Sequence, residues 1–146
     1  MPKIKRPKWF EKGRIIKCPL DYPYEKKKYC IILGFDFSKG EILFILINSE
    51  ITKFVKSKPN LLELQVEIRK TDYPKVFSKQ VSYADCTRIR KKDMNELVQE
   101  IENGKAIDCG ILKTTKKEEI FNKILQNPDL KSRDRIYVKS TLPEDI

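Results

Sequence analysis

Residues 41–47, Glu41-Ile42-Leu43-Phe44-Ile45-Leu46-Ile47, make up the most apolar segment of the chain. The uninterrupted apolar run from Ile42 to Ile47, entered after Ser38-Lys39-Gly40 and left through Asn48-Ser49-Glu50, predicts the central strand of a sheet. A strand needs hydrogen-bonded neighbours, and the flanking sequence supplies them. Upstream, Tyr29-Cys30-Ile31-Ile32-Leu33 is a second continuous apolar run that fits burial on both faces, with Gly34 read as its end. Further upstream, Gly13 opens the β-branched segment 14–20, which Pro19 closes.

Downstream, Leu62, Leu64, Val66 and Ile68 alternate with Glu63, Gln65, Glu67 and Arg69, the period-two signature of a strand with one wet face. Residues 81–89 alternate in part and predict another strand. Met94 to Glu102 places Leu97, Val98 and Ile101 at helical spacing before Gly104. Residues 107–112 suggest a short strand. Thr115-Lys116-Lys117-Glu118 has the form of a capping box ahead of an amphipathic face of Ile120, Phe121, Ile124 and Leu125, which ends before Pro128. Many short strands and a late helix around one core predict a mainly β protein with α, a small barrel or rolled sheet carrying a C-terminal helix. The expected organisation is a basic arm over residues 1–11 that ends at Trp9 and Phe10, one barrel domain over 12–130, and a loosely held tail over 131–146.

Composition narrows the chemistry. The 146 residues include 31 Lys and Arg against 21 Asp and Glu, a net charge of +10, and no His. Without imidazole there is no Ser/His/Asp or Cys/His triad and no His-ligated zinc, so catalysis has to use Lys, Arg, Ser, Thr, Tyr, Asp, Glu or Cys. Cys18, Cys30, Cys86 and Cys109 are dispersed with no Cys-x-x-Cys pair, and read as buried, reduced thiols. No metal and no cofactor is expected. The basic N-terminal segment precedes no apolar stretch, and no run approaches the ~20 residues of a membrane span, so the expectation is a cytoplasmic protein without a membrane partner.

The charge is unevenly spread. Residues 1–30 hold ten basic and three acidic side chains, and residues 69–92 hold eight and two, whereas residues 93–130 hold five and eight. Two cationic blocks separated in this way suggest a polyphosphate partner, with a solvated Lys-rich surface as the plain alternative.

The succession of segments resembles the PemK/MazF family of toxin endoribonucleases. A Gly-started strand at Gly13 comes first, then a strand led by basic residues at Lys28, and then an apolar strand closed by the hydroxyl of Ser49. A Ser-Tyr strand from Ser82 runs into basic residues, and Gly110 and Leu112 precede the last helix. The resemblance implies an SH3-like barrel, a homodimer and a neutralising protein antitoxin. It also implies metal-independent cutting of single-stranded RNA, in which the ribose 2'-OH attacks phosphorus and leaves a 2',3'-cyclic phosphate. The family begins its first strand with Gly and an acid and its second with Arg-Pro, where this chain has Gly13-Arg14 and Lys28-Tyr29. The implied catalytic residues are Lys28 and Ser49, with Arg88 taking the place of the family Arg.

The residues themselves extend that site. Lys26, Lys27 and Lys28 form a dense cluster on a loop with Tyr22 and Tyr24, which are placed to stack on unpaired bases. Arg88, Arg90, Lys91 and Lys92 put four cations within five residues, and alternation sends Arg88 and Arg90 to one side if the strand persists. Asp85 reads as a buried partner for one of these arginines. If the two blocks share a groove, they form a funnel for RNA. The alternative is a catalytically inactive barrel that binds nucleic acid or a protein partner through the same surface.

Overall fold

The computed structural model describes residues 7, 9–20 and 27–140. Seven strands, β1 (Arg14–Cys18), β2 (Lys28–Asp36), β3 (Glu41–Asn48), β4 (Gln65–Arg69), β5 (Val81–Asp85), β6 (Arg90–Asp93) and β7 (Ile107–Ile111), build one antiparallel sheet. Its order is β4-β5-β3-β2-β1-β7, with β6 also paired to β3. The sheet is curled into a half barrel. The short helices α1 (Lys53–Lys56) and α2 (Pro59–Leu62) lie between β3 and β4, α3 (Met94–Glu102) precedes β7, and α4 (Thr114–Gln126) and α5 (Ser132–Lys139) close the described chain. None of the described helices is long and apolar enough to cross a membrane.

The central strand is apolar and buried from Ile42 to Ile47 because both of its faces are covered. Leu43, Ile45 and Ile47 belong to a core that holds Ile120 and Ile124 of α4. Ile42, Phe44 and Leu46 point the other way, into a second core with Leu97 of α3 and the Trp9–Phe10 pair. Phe10 packs at a 45° tilt against Phe35 with 3.9 Å between centroids, which makes the aromatic end of the N-terminal arm part of the packing.

Several expectations need correction. Gly34 does not end β2: the strand runs through it to Asp36, with a register shift between Ile32 and Gly34. The backbone of α5 lies against this glycine, and a Cβ there would fall 2.6 Å from the Tyr137 carbonyl oxygen. Leu62 belongs to α2 and is exposed rather than alternating in β4. Thr115 is inside α4, whose N-cap is Lys113 with no side-chain cap bond, so the capping-box reading fails.

The tail contains α5, which places Val138 in the core of Ile120 and Ile124 and is tied down by polar contacts. The Lys12 ammonium donates to the carbonyls of Tyr137 and Val138, each at 2.9 Å, and to that of Ser140. Arg133 lies 3.1 Å from Asp36, and Arg135 donates to the Leu125 carbonyl. The Lys12 and Arg135 bonds satisfy carbonyls that a helix C-terminus leaves without intrahelical donors.

Candidate functional site

The edge of β3 is shared by two strands. Ile47 and Asn48 pair with β5, whereas Glu41 to Phe44 pair with β6. The residues between these pairings, 86–89, step out of the sheet as a turn fixed from both sides. Asp85 Oδ1 accepts the Thr87 amide at 3.1 Å and the Thr87 hydroxyl, and also takes Gln65 Nε2 at 2.9 Å. Its partners are therefore Gln65 and Thr87, not an arginine. From the other side Asn127, buried just beyond α4, donates Nδ2 to the carbonyls of Cys86 at 3.1 Å and Thr87 at 3.2 Å. Burial, with Asp85 adjacent, pushes the Cys86 thiol up to about 12, so it serves as packing.

Between this turn and the α4–α5 corner lies a cleft of about 520 Å³. Its lining includes Arg88, Lys91, Asn127, Asp129, Lys131 and Asp134. Arg88 is exposed, and among the described residues no ion pair or hydrogen bond engages its guanidinium. Lys91 Nζ is 3.1 Å from Asp134 Oδ1, a carboxylate whose side chain is only 9% exposed. Lys131 and Asp129 are exposed. A guanidinium offers a planar fork that matches two phosphate oxygens, and an adjacent ammonium adds a point charge.

The other expected residues lie elsewhere. Arg88 and Arg90 do not continue one strand, because β5 stops at Asp85 and β6 starts at Arg90. Arg90 borders the cleft, but its register with Phe44 puts its side chain on the α3 face. Lys92, opposite Ile42, is also on that face, with Nζ 2.8 Å from Glu100, 3.4 Å from Glu96 and 3.3 Å from the Pro19 carbonyl. Lys28 starts β2 directly opposite Cys18, again on the α3 face. Lys27 is exposed ahead of β2, and Ser49 is exposed just past β3. Neither Lys28 nor Ser49 lines the cleft. Tyr22, Tyr24 and Lys26 lie outside the described residues.

Arg14 is buried and ion-paired to Glu11 at 2.7 Å and Asp108 at 3.7 Å. That makes it a brace between the arm and β7. Sequence reading missed Asn127, Lys131 and Asp134. The available signal was the Asn-Pro pair at 127–128, which marks a helix end that can cap a neighbouring turn. Among the described residues no group of three metal-ligating side chains is close enough to hold an ion. No protein-family model matches this chain, and no curated protein matches it at a significant level.

Proposed function

We propose that this chain is a toxin-type RNA-binding protein of PemK/MazF character, built on an SH3-like barrel, that takes the backbone of single-stranded RNA into the cleft beside residues 86–89. The observation that carries the reading is the exposed Arg88 guanidinium held over this cleft with Lys91 and Lys131. The turn that carries Arg88 is fixed by Asp85 and Asn127, so the backbone from which the guanidinium reaches the cleft is set before a phosphate arrives. Cutting follows the resemblance. The ribose 2'-OH attacks the neighbouring phosphorus, the P–O5' bond breaks and the 5'-oxygen leaves with a proton taken from water, and Arg88 stabilises the charge that builds on the phosphorane. Asp129, the exposed carboxylate of the lining, receives the 2'-OH proton.

Two measurements test this. Anisotropy of a labelled single-stranded RNA should show affinity falling with salt, by about 0.7 in log-log slope per phosphate neutralised. Arg88→Ala should reduce that slope by about one phosphate. Incubation of long RNA in EDTA should leave 2',3'-cyclic phosphate ends, formed about 10²- to 10³-fold more slowly by the Arg88→Ala protein. Because Arg88 is exposed, the thermal transition should be unchanged, which separates loss of the site from loss of the fold. A salt-independent signal removes RNA from the reading. Salt-dependent binding beside intact RNA selects the inactive barrel, a reading favoured by the placement of Lys28 and Ser49 away from the cleft.

A further inference from the structure

We propose that Cys18 and Cys30 are a peroxide-responsive dithiol which closes, as an intramolecular disulfide, the base of the basic segment joining β1 to β2. The two sulfurs are 3.5 Å apart in the second core. Strand register puts them there: Cys18 faces Lys28 and Cys30 faces Ile16, so the cysteines are diagonal neighbours across the β1–β2 ladder. Cys18 is the last residue of β1 and Cys30 the third of β2. The approach needed for a bond, to about 2.05 Å between sulfurs, therefore falls at a ladder end, where local opening is least costly.

The surroundings give the two thiols different roles. The hydrogen bond shared with Cys30 lowers the Cys18 pKa; burial opposes this, and the Lys92 ammonium assists it against Glu100 and Glu96. Cys30 is raised, first by its bond to Cys18 and then by burial, with Lys92 and Arg90 acting in the opposite sense. Cys18, at the strand end next to Pro19, whose carbonyl takes the Lys92 ammonium at 3.3 Å, is the nucleophile, and Cys30, inside β2, is the resolving thiol. The Cys18 thiolate attacks one oxygen of hydrogen peroxide, giving Cys18 sulfenic acid and hydroxide, which takes up the proton that Cys18 lost. Cys30 sulfur then attacks Cys18 sulfur, the S–O bond breaks, and the hydroxyl leaves as water with the Cys30 proton. Two thiols are oxidised to one disulfide and one peroxide is reduced to two waters.

The bond would span the stretch that carries Tyr22, Tyr24 and Lys26 to Lys28, holding its two ends together. It does not depend on RNA being the ligand. Cys86 and Cys109 provide internal controls, since burial raises the pKa of both.

The full chain is treated with hydrogen peroxide, alkylated and mapped by mass spectrometry. The expected result is loss of two of the four free thiols, an intact mass lower by two hydrogens, and a linked pair of peptides containing Cys18 and Cys30. Dithiothreitol should restore all four. In Cys30→Ser the same treatment should leave a sulfenic acid on Cys18 that a cyclic diketone traps. If Cys109 reacts first while Cys18 and Cys30 stay open to alkylation in the unfolded protein, or if the only disulfides join separate chains, the proposal is overturned. The wild-type measurement needs no variant to fold.

Discussion

Replacing Glu100 with alanine should lower the unfolding free energy by about 3–5 kcal/mol, the usual cost of leaving one member of a buried ion pair alone. Lys92 and Glu100 lie 2.8 Å apart with side chains only 8% and 11% exposed, between β6 and α3. Without the carboxylate the Lys92 ammonium keeps only the Pro19 carbonyl and Glu96, which is half exposed. In a domain of this size the loss corresponds to a fall in Tm of roughly 10–20 °C. Glu96→Ala should cost no more than about 1 kcal/mol, as an exposed pair does. The double variant Lys92→Met, Glu100→Leu should recover most of the loss, because it removes the stranded charge along with its partner.

The pH dependence has a definite sign. Burial alone lowers the Lys92 pKa, but the hydrogen bond and charge of Glu100, joined by Glu96 and Cys18, outweigh burial and raise it. In the parent the pair's stabilisation is therefore complete below the ordinary lysine value and lost only as pH rises above it. In Glu100→Ala burial dominates, and the group deprotonates earlier on folding. The stability gap between parent and variant should be widest near neutrality and narrow as the solution becomes alkaline. Urea unfolding at several pH values checks both claims, and a loss under about 1 kcal/mol at pH 7 would show that water already serves this pair.

Gly34→Ala should destabilise by about 1–3 kcal/mol, and Gly34→Val by more. The sign is informative, because alanine in a strand interior is ordinarily better than glycine by roughly 0.5–1 kcal/mol. Here the added methyl would meet backbone, the Tyr137 carbonyl oxygen at 2.6 Å and its carbon at 3.0 Å, and backbone cannot rotate away as a side-chain tip can. Relief requires α5 to lift from β2. That movement would loosen the Lys12 bonds to the helix end and shift Lys131 and Asp134 relative to Arg88. Hydrogen exchange should accelerate in α5 before it does in β3. A neutral or stabilising substitution would mean that α5 is not seated on this glycine.

The central features of the fold were legible because burial writes itself into composition. The run through Ile47 announced the central strand, and the spacing of Leu97, Val98 and Ile101 marked α3 to the residue. What stayed hidden was held by something other than apolar periodicity. Arg90 to Asp93 are four charged residues that form β6 through ladder bonds to Glu41–Phe44, with Lys91 and Lys92 paired to carboxylates on opposite faces. The α5 segment, Ser132 to Lys139, buries only Asp134 and Val138 and is fixed by ion pairs and carbonyl bonds, so no hydrophobic stripe betrayed it. Gly34 looked like a stop because a missing side chain reads the same whether it makes a turn or admits another backbone. The candidate site followed the same division. Arg88 and Lys91 stood out as part of a local cation cluster, whereas Asn127, Lys131 and Asp134 come from a stretch whose role exists only once α4 and α5 have docked.

The interruption on the edge of β3 has a consequence for how such a protein could diversify. Pairings on both sides of residues 86–89 keep that strand anchored, so the exposed position of Arg88 can change while buried Cys86 and the bonds of Asp85 and Asn127 hold the turn. Selection for a new ligand could then rewrite one rim of the cleft at little cost to folding.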